Sequence, residues 1–309
     1  MIVTLTINPT IDRVISVDRL AFEDRAHINS THECAGGRGI NTACVIHSFG
    51  GATQAVMTSG GEHGKRMEQH LQCHGMPYLV VPISNQTRTN LTITDKHGLT
   101  VHLNETGPEL SKAEVARVER AVRDQLEKAS WLLVCGSTPP GVPLSFYGKL
   151  ISMARKKKVR TLLHADGEVL RQGIEELPTV VTPNQREAER LLGRTLLTST
   201  HFLEAAERIR AMGPESVVLS LGSRGAVGAF REGVIEALAP RVDAVCPIGA
   251  GDALSAAYTW AIQGKSNGPE ALRWGVAAGT ASALLPGMKF ATLEQTREMF
   301  RRVELRRAE

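Results

Sequence analysis

From about residue 110 onward, apolar runs of strand length alternate with amphipathic helical segments. Trp131–Ser137 reads as a strand, Leu144–Lys157 as a helix and Thr161–Ala165 as a strand. Val180–Thr182 follows as a short strand, then helices over Arg186–Leu192 and Phe202–Met212 and a strand over Val217–Leu221. Ser111 with Glu114 has the spacing of a capping box that opens a helix running to about Lys128. Such alternation predicts a mostly parallel central sheet with helices on both faces, a three-layer α/β/α fold. Ligands of such sheets gather at the carboxyl ends of the strands.

Two early segments depart from the alternation. Asn90–Asn104 alternates apolar and polar residues (Leu91, Ile93, then Leu99, Val101, Leu103) around Asp95-Lys96-His97-Gly98, the pattern of a hairpin with one covered face. Arg13 to Leu20, and on to Cys34, is also extended and half apolar. The expectation is one domain over 1–309 with a small β lid formed by about 13–35 and 86–106. An isolated ribbon exposes its apolar face, so the lid should pack on something, and a second subunit, giving a homodimer, is the expected cover.

A chain of 309 residues with 42% hydrophobic residues can build its core without disulfide or structural metal. Its five cysteines include no Cys-x-x-Cys pair and read as reduced thiols. No apolar run approaches the roughly 20 residues of a membrane helix, and Met1–Ile7 has no basic leader region. The cytoplasm is therefore the expected compartment. The net charge of +4 does not argue for nucleic acid and suits a small anionic substrate.

Gly249-Ala250-Gly251-Asp252 is followed at once by a helix-like stretch, Ala253 to Ile262. Amides converging at a helix start form an anion nest backed by the dipole, suited to charge developing on a transferred phosphoryl group. Asp252, in the first turn, can take the proton of an attacking hydroxyl. Alone, the four residues read as a tight turn capped by Asp; their company changes that reading. Ser220, Gly222 and Gly225 follow a strand and either line a nucleotide cleft or make a turn. Asn184 and Glu187 read as an ordinary capped helix start, or as a carboxylate holding Mg²⁺ through water.

Asp12 lies just past the first strand, where it can bind sugar hydroxyls. Gly36-Gly37-Arg38-Gly39-Ile40-Asn41 opens a helix and superficially resembles a dinucleotide fingerprint, but it follows a ribbon instead of the first strand of a βαβ unit. Close approach of substrate to the glycine backbone, with Asn41 bonding a hydroxyl, fits better. Arg88 is placed to grip a phosphate through its planar fork, and Ser137, at another strand end, is a second donor. His70 and His74, one helical turn apart, lack a third ligand nearby in sequence and are not taken as a metal site.

In this order and over almost the whole chain, these motifs resemble the ribokinase/PfkB carbohydrate kinase family. Gly36-Gly37-x-Gly-x-Asn41 is similar to its first signature, Gly249-Ala-Gly-Asp252 to its second, and Pro-Asn184-x-x-Glu187 to its metal-linked motif. Thr-Arg88-x-Asn and Gly-Ser137-x-Pro-Pro-Gly resemble its phosphosugar branch. The resemblance implies a ribokinase-like fold, ATP and Mg²⁺ as cofactors, sugar contacts from Asp12, Gly36, Gly37 and Asn41, and phosphate contacts from Arg88 and Ser137. It also implies nucleotide contacts from Asn184, Ser220, Gly222 and Gly225, and a basic residue, Arg25, reaching a neighbouring subunit's substrate.

The expected reaction is phosphorylation of a ketohexose phosphate, fructose 1-phosphate first, with fructose 6-phosphate and tagatose 6-phosphate as alternatives. Relatives often carry Lys where Arg38 and Thr182 stand, and His27 lies where the fructose 1-phosphate and tagatose-phosphate enzymes tend to have Arg. Pro-Asn-Gln-x-Glu and Trp274–Gly279 resemble the minor 6-phosphofructokinase as much. Two rivals belong to other classes: an idle sugar-phosphate sensor on the same fold, and a nicotinamide-dependent dehydrogenase resting on the glycine cluster alone.

Overall fold

The computed structural model describes residues 1–21 and 23–307. The chain lays down β1 (Ile2–Thr6), buried throughout, and then leaves the central sheet for β2 (Thr10–Val17) and β3 (Ile28–Gly36). It returns through α1 (Arg38–Ser48), β4 (Thr53–Ser59), α2 (Gly61–Cys73) and β5 (Tyr78–Pro82). The hairpin β6 (Arg88–Asp95) and β7 (Thr100–Asn104) completes the excursion. The regular alternation follows: α3 (Lys112–Gln125), β8 (Trp131–Cys135), α4 (Phe146–Lys156), β9 (Arg160–His164), α5 (Gly167–Glu175) and β10 (Val180–Val181). Next come α6 (Gln185–Leu192), α7 (Ser199–Ala211), β11 (Ser216–Ser220), β12 (Gly225–Phe230) and β13 (Gly233–Leu238). Helices α8 (Ala250–Gln263), α9 (Gly268–Ala283) and α10 (Leu293–Phe300) precede β14 (Glu304–Arg307).

The ten-stranded sheet runs β14-β13-β12-β11-β10-β9-β8-β1-β4-β5 and is parallel from β5 to β11. Strands β12, β13 and β14 add an antiparallel margin that strand-length runs alone did not reveal. Period-two alternation sorts the core: Val3, Leu5, Leu132, Val134 and Leu163 face α3, α4, α5 and α7, while Ile2, Trp131, Leu133 and Leu162 face α1, α8, α9 and α10. The Ser111–Glu114 capping box is formed, and such a cap stabilises a helix by about 1 kcal/mol. Among the described residues no helix is long and apolar enough to cross a membrane.

The chain moves from β1 outward to β4 and β5, then restarts on the other side with β8, β9, β10 and β11. That reversal puts a topological switch between β1 and β8, where open α/β sheets leave a crevice beyond their carboxyl ends. The second sheet, in the order β3-β2-β6-β7, stands apart, with β2 parallel to β6 and the other pairs antiparallel. Ile11 of β2 anchors it in a separate apolar cluster with Ile40 of α1, Met57 of β4 and Met67 and Leu71 of α2.

Candidate active site

Gly249 is the N-cap of α8 in the left-handed region, with φ 80° and ψ −4°. A Cβ there would also stand 2.9 Å from the Phe290 ring, so glycine alone fits both the backbone and the space. The helix begins at Ala250, three residues earlier than the pattern predicts. The Ala250 N–H donates to the Pro247 carbonyl at 3.2 Å, and the Ala253 N–H closes the first helical bond onto Gly249 at 2.9 Å. This takes the Ala250 N–H out of the expected Gly249–Asp252 nest, while the N–H groups of Gly251 and Asp252 lie in the first turn at the positive end of the helix.

Asp252 is 7% exposed, and its Oδ2 accepts from Asn41 Nδ2 at 2.8 Å. Burial pushes its carboxyl up to about 6, against the opposing pull of the Arg38 guanidinium and the Asn41 N–H. Arg38 is the cation of this centre. Its Nη2 donates to Glu187 Oε1 at 2.9 Å, while Nη1 is buried with no partner. Burial works against its charge, but Glu187 and Asp252 outweigh that and raise its affinity for the proton.

Among the residues expected to contact sugar, strand pairing sets Asp12 beside Cys34 of β3 and Asn90 of β6. Asn90 Nδ2 donates to Asp12 Oδ1 at 3.0 Å. A Cβ on Gly36 would lie 1.9 Å from Asp12 Oδ2, so this glycine makes room for the carboxylate. Gly37, at φ 114°, caps α1 and delivers Asn41 to Asp252. Arg88 and Ser137, far apart in sequence, meet through Asn8 at the end of β1. Arg88 Nη2 donates to the Asn8 carbonyl at 3.1 Å, and Asn8 Nδ2 donates to Ser137 Oγ at 3.1 Å. Arg88 Nη1 bonds the Glu105 carbonyl, and its Nε is buried without a partner. Arg25 joins none of this within one chain; it is exposed between β2 and β3, where its N–H donates to Asp24.

Asn184 and Glu187 form a full capping box at the start of α6. A parallel bridge joins Asn184 to Ser220, and Leu221 N–H bonds the Gly225 carbonyl around a turn in which Gly222 has φ 61°. These four residues therefore converge at the ends of β10 and β11. Glu187 is buried, with Oε1 on Arg38 and Oε2 accepting the Asn184 N–H at 2.9 Å. That donor set suits Mg²⁺ carried by nucleotide phosphates and reached through water, since one carboxylate makes no direct cage. Among the described residues no group of three or more His, Cys, Asp or Glu could hold a metal, and His74 simply bonds the His70 carbonyl on α2.

Three participants escaped the sequence reading. Asn8 had only its place before Asp12 as a signal, and Arg38 its place inside the glycine cluster, where relatives often carry Lys. His164, at the end of β9, was read as part of a strand; a lone polar residue closing an apolar run was the available sign.

A family model described as pfkB family carbohydrate kinase matches residues 3–295. The chain belongs to this family. It is 31% identical over 305 residues to the ATP-dependent 6-phosphofructokinase isozyme 2 of Escherichia coli (strain K12), covering 97% of each chain. A crystal structure of Escherichia coli phosphofructokinase-2 in complex with potassium matches 97% of this chain and 98% of its own, with TM-score 0.91. Another, of its tetrameric inhibited form, matches with TM-score 0.89 at 31% identity over 97% of this chain and 98% of its own. A structure from Thermotoga maritima described as a possible 1-phosphofructokinase matches all of both chains at 26% identity and TM-score 0.93. This pfkB kinase is accordingly a phosphotransferase acting on a hydroxyl acceptor, with ATP as the implied donor. The glycine cluster opens α1 after β3 of the small sheet, which leaves no βαβ fingerprint for a nicotinamide cofactor.

Proposed function

We propose that this kinase transfers the γ-phosphoryl group of ATP to the free primary hydroxyl of fructose 6-phosphate, giving fructose 1,6-bisphosphate. The observation that carries the chemistry is Asp252: a buried carboxylate beside free helix amides, held by Asn41 and facing Arg38. Asp252 takes the hydroxyl proton as the oxygen attacks. The Gly251 and Asp252 N–H groups and the unpartnered Nη1 of Arg38 meet the charge of the phosphoryl in flight. Asp12 and Asn41 hold sugar hydroxyls, with Gly36 and Gly37 allowing the close approach. Arg88 and Ser137 hold the substrate's own phosphate. Asn184, Ser220, Gly222 and Gly225 line the nucleotide. When bound, Mg²⁺ neutralises charge on the nucleotide phosphates, and Glu187 would reach it through water.

The choice of fructose 6-phosphate follows the names of the relatives at 31% identity. Fructose 1-phosphate, the first expectation from the sequence, is the second reading, favoured by the Thermotoga maritima structure. ADP release over fructose 6-phosphate, fructose 1-phosphate and tagatose 6-phosphate decides between them. A kcat/KM preference of more than about tenfold, roughly 1.4 kcal/mol, is expected for fructose 6-phosphate. A preference for another sugar would reassign the substrate, and no ADP release with any of the three would favour the idle sensor.

The small sheet acts, in this reading, as a lid clasped by a second subunit. Ile28, Leu99 and Leu103 are 63%, 55% and 50% exposed on it, apolar surface that a partner's lid would cover. A partner's lid would also give exposed Arg25 a neighbouring site to reach. The tetrameric form described for the Escherichia coli relative makes a larger assembly the competing outcome. Sedimentation is expected to give a dimer that Leu103→Glu dissociates; a wild-type monomer would refute the lid contact.

A further inference from the structure

His164 closes β9 directly beneath the first turn of α8. It is 6% exposed, its Nδ1 stands 3.8 Å from Asp252 Oδ1, and its Cε1 lies 4.0 Å from where a Gly251 Cβ would be. Its backbone is fixed on both sides. The register pairs it with Cys135 of β8, its carbonyl accepts the Gly136 N–H at 2.8 Å, and the preceding carbonyl accepts the Thr182 N–H at 3.0 Å. The sheet thus fixes the root of the side chain, and burial leaves the ring little room around it. Yet Nδ1 is buried without a hydrogen-bond partner. An orphaned polar atom in a well-packed interior requires an explanation, and a catalytic role is one.

The charged and titratable groups around this pair come from three elements. Asp252 faces the ring from α8, Arg38 from α1, and the Cys135 thiol, pushed up by burial and so neutral, stands beside it on β8. Asp12 and Glu187 act on Asp252 from farther off. Burial, then Arg38, disfavours the imidazolium, so the ring is neutral with one N–H. A lone pair on Nδ1 would confront the lone pairs of Oδ1, which places the proton on Nδ1.

We propose that His164 is a positioning residue for Asp252: its Nδ1–H secures Oδ1 as Asn41 secures Oδ2, so that the remaining lone pair of Oδ1 is aimed at the acceptor hydroxyl. The inference rests on the reading of Asp252 as the base. The 3.8 Å separation is too long for a hydrogen bond and needs to close by under an ångström. Catalytic hydrogen bonds are commonly long in unliganded enzymes and tighten in the complex. Burial disfavours the imidazolium and favours the protonated Asp252 carboxyl, which argues against His164 as a store for the transferred proton.

The test is the pH profile of kcat/KM with one sugar phosphate and ATP throughout. Titration of the substrate phosphates is then common to every variant, and a displaced acid limb belongs to the enzyme. His164→Leu removes the donor, His164→Gln moves it to the Nε2 position, and His164→Asn returns an N–H near Nδ1. A donor to the carboxylate favours its charged form. Its loss is expected to move the acid limb up by about one pH unit and lower kcat about 10- to 100-fold in the Leu and Gln variants. The Asn variant should bring the limb back towards the wild-type position, and sugar KM should change less than about threefold throughout. Melting curves and ATP binding report folding; if the Leu variant does not fold, the Asn and Gln variants carry the comparison alone. An unmoved limb in the Gln and Leu variants, or an Asn variant no better than they are, overturns the proposal. If Asp252→Asn keeps normal turnover, the base reading and this inference fall together. If Asp252→Asn is inactive while the His164 variants behave as wild type, only this inference fails.

Discussion

Asp252→Asn lowers kcat by about three to four orders of magnitude while ATP still binds, the upper range for loss of a general base. The substitution keeps the shape of the side chain and an oxygen able to accept the Asn41 Nδ2 donor, so the bond between α1 and α8 survives. What disappears is a basic lone pair in a site from which water is largely excluded. The amides of Gly251 and Asp252 and the Arg38 guanidinium remain, which leaves residual catalysis to measure. That residue provides a second readout. In the wild type, kcat/KM should fall about tenfold per pH unit below about 6, because the protonated carboxyl cannot take another proton. The Asn variant has nothing to titrate at this position, so any limb it keeps belongs to the substrate phosphates. Turnover within tenfold of wild type would remove Asp252 from the base role. Equal loss of ATP binding would instead mark it as a structural cap.

How far the sequence carries this site depends on how local each signal is. The parallel core was readable because strands buried on both faces must be continuous apolar runs, as in Leu132–Val134 and Val217–Leu219. The Ser111–Glu114 and Asn184–Glu187 caps were readable because each forms within one turn. Helix starts were less so. The pattern places the start of α7 at Phe202, its first large apolar residue, whereas the Thr198 side chain caps it from four residues earlier. Strands β13 and β14 escaped because an antiparallel margin at a sheet edge needs no long apolar run, and β12, though buried throughout, because glycines interrupt its apolar run. The pairing of Arg38 with Glu187, 149 residues apart, and of His164 with Asp252 are products of topology alone. No local pattern announces that the end of β9 lies under the start of α8. Thr182 shows the same limit from the other side: its hydroxyl accepts from Ser255 on α8, so the cation facing this centre comes from Arg38 instead.

Arg88→Ala raises KM for the sugar phosphate about 100- to 1,000-fold and leaves KM for ATP nearly unchanged. The guanidinium is held from two directions, by the Glu105 and Asn8 carbonyls, which fixes the plane of the fork before substrate arrives. Its Nε and the second N–H of each Nη remain as donors for a phosphate, and Ser137, tied to the same Asn8, stands ready to add another. Truncating one side of a desolvated, hydrogen-bonded ion pair typically costs about 2–5 kcal/mol, which sets the size of the effect. Arg88→Lys keeps the charge but neither the fork nor both carbonyl bonds, so its KM should fall between wild type and Ala. Ser137→Ala loses one neutral donor and should cost only about tenfold. The decisive comparison uses unphosphorylated fructose, whose slow turnover has no phosphate for Arg88 to grip. If Arg88→Ala impairs fructose and fructose 6-phosphate equally, the residue holds the β1 end together through Asn8 and binds no phosphate. If only the phosphorylated sugar suffers, the anion pocket lies where Arg88, Asn8 and Ser137 meet.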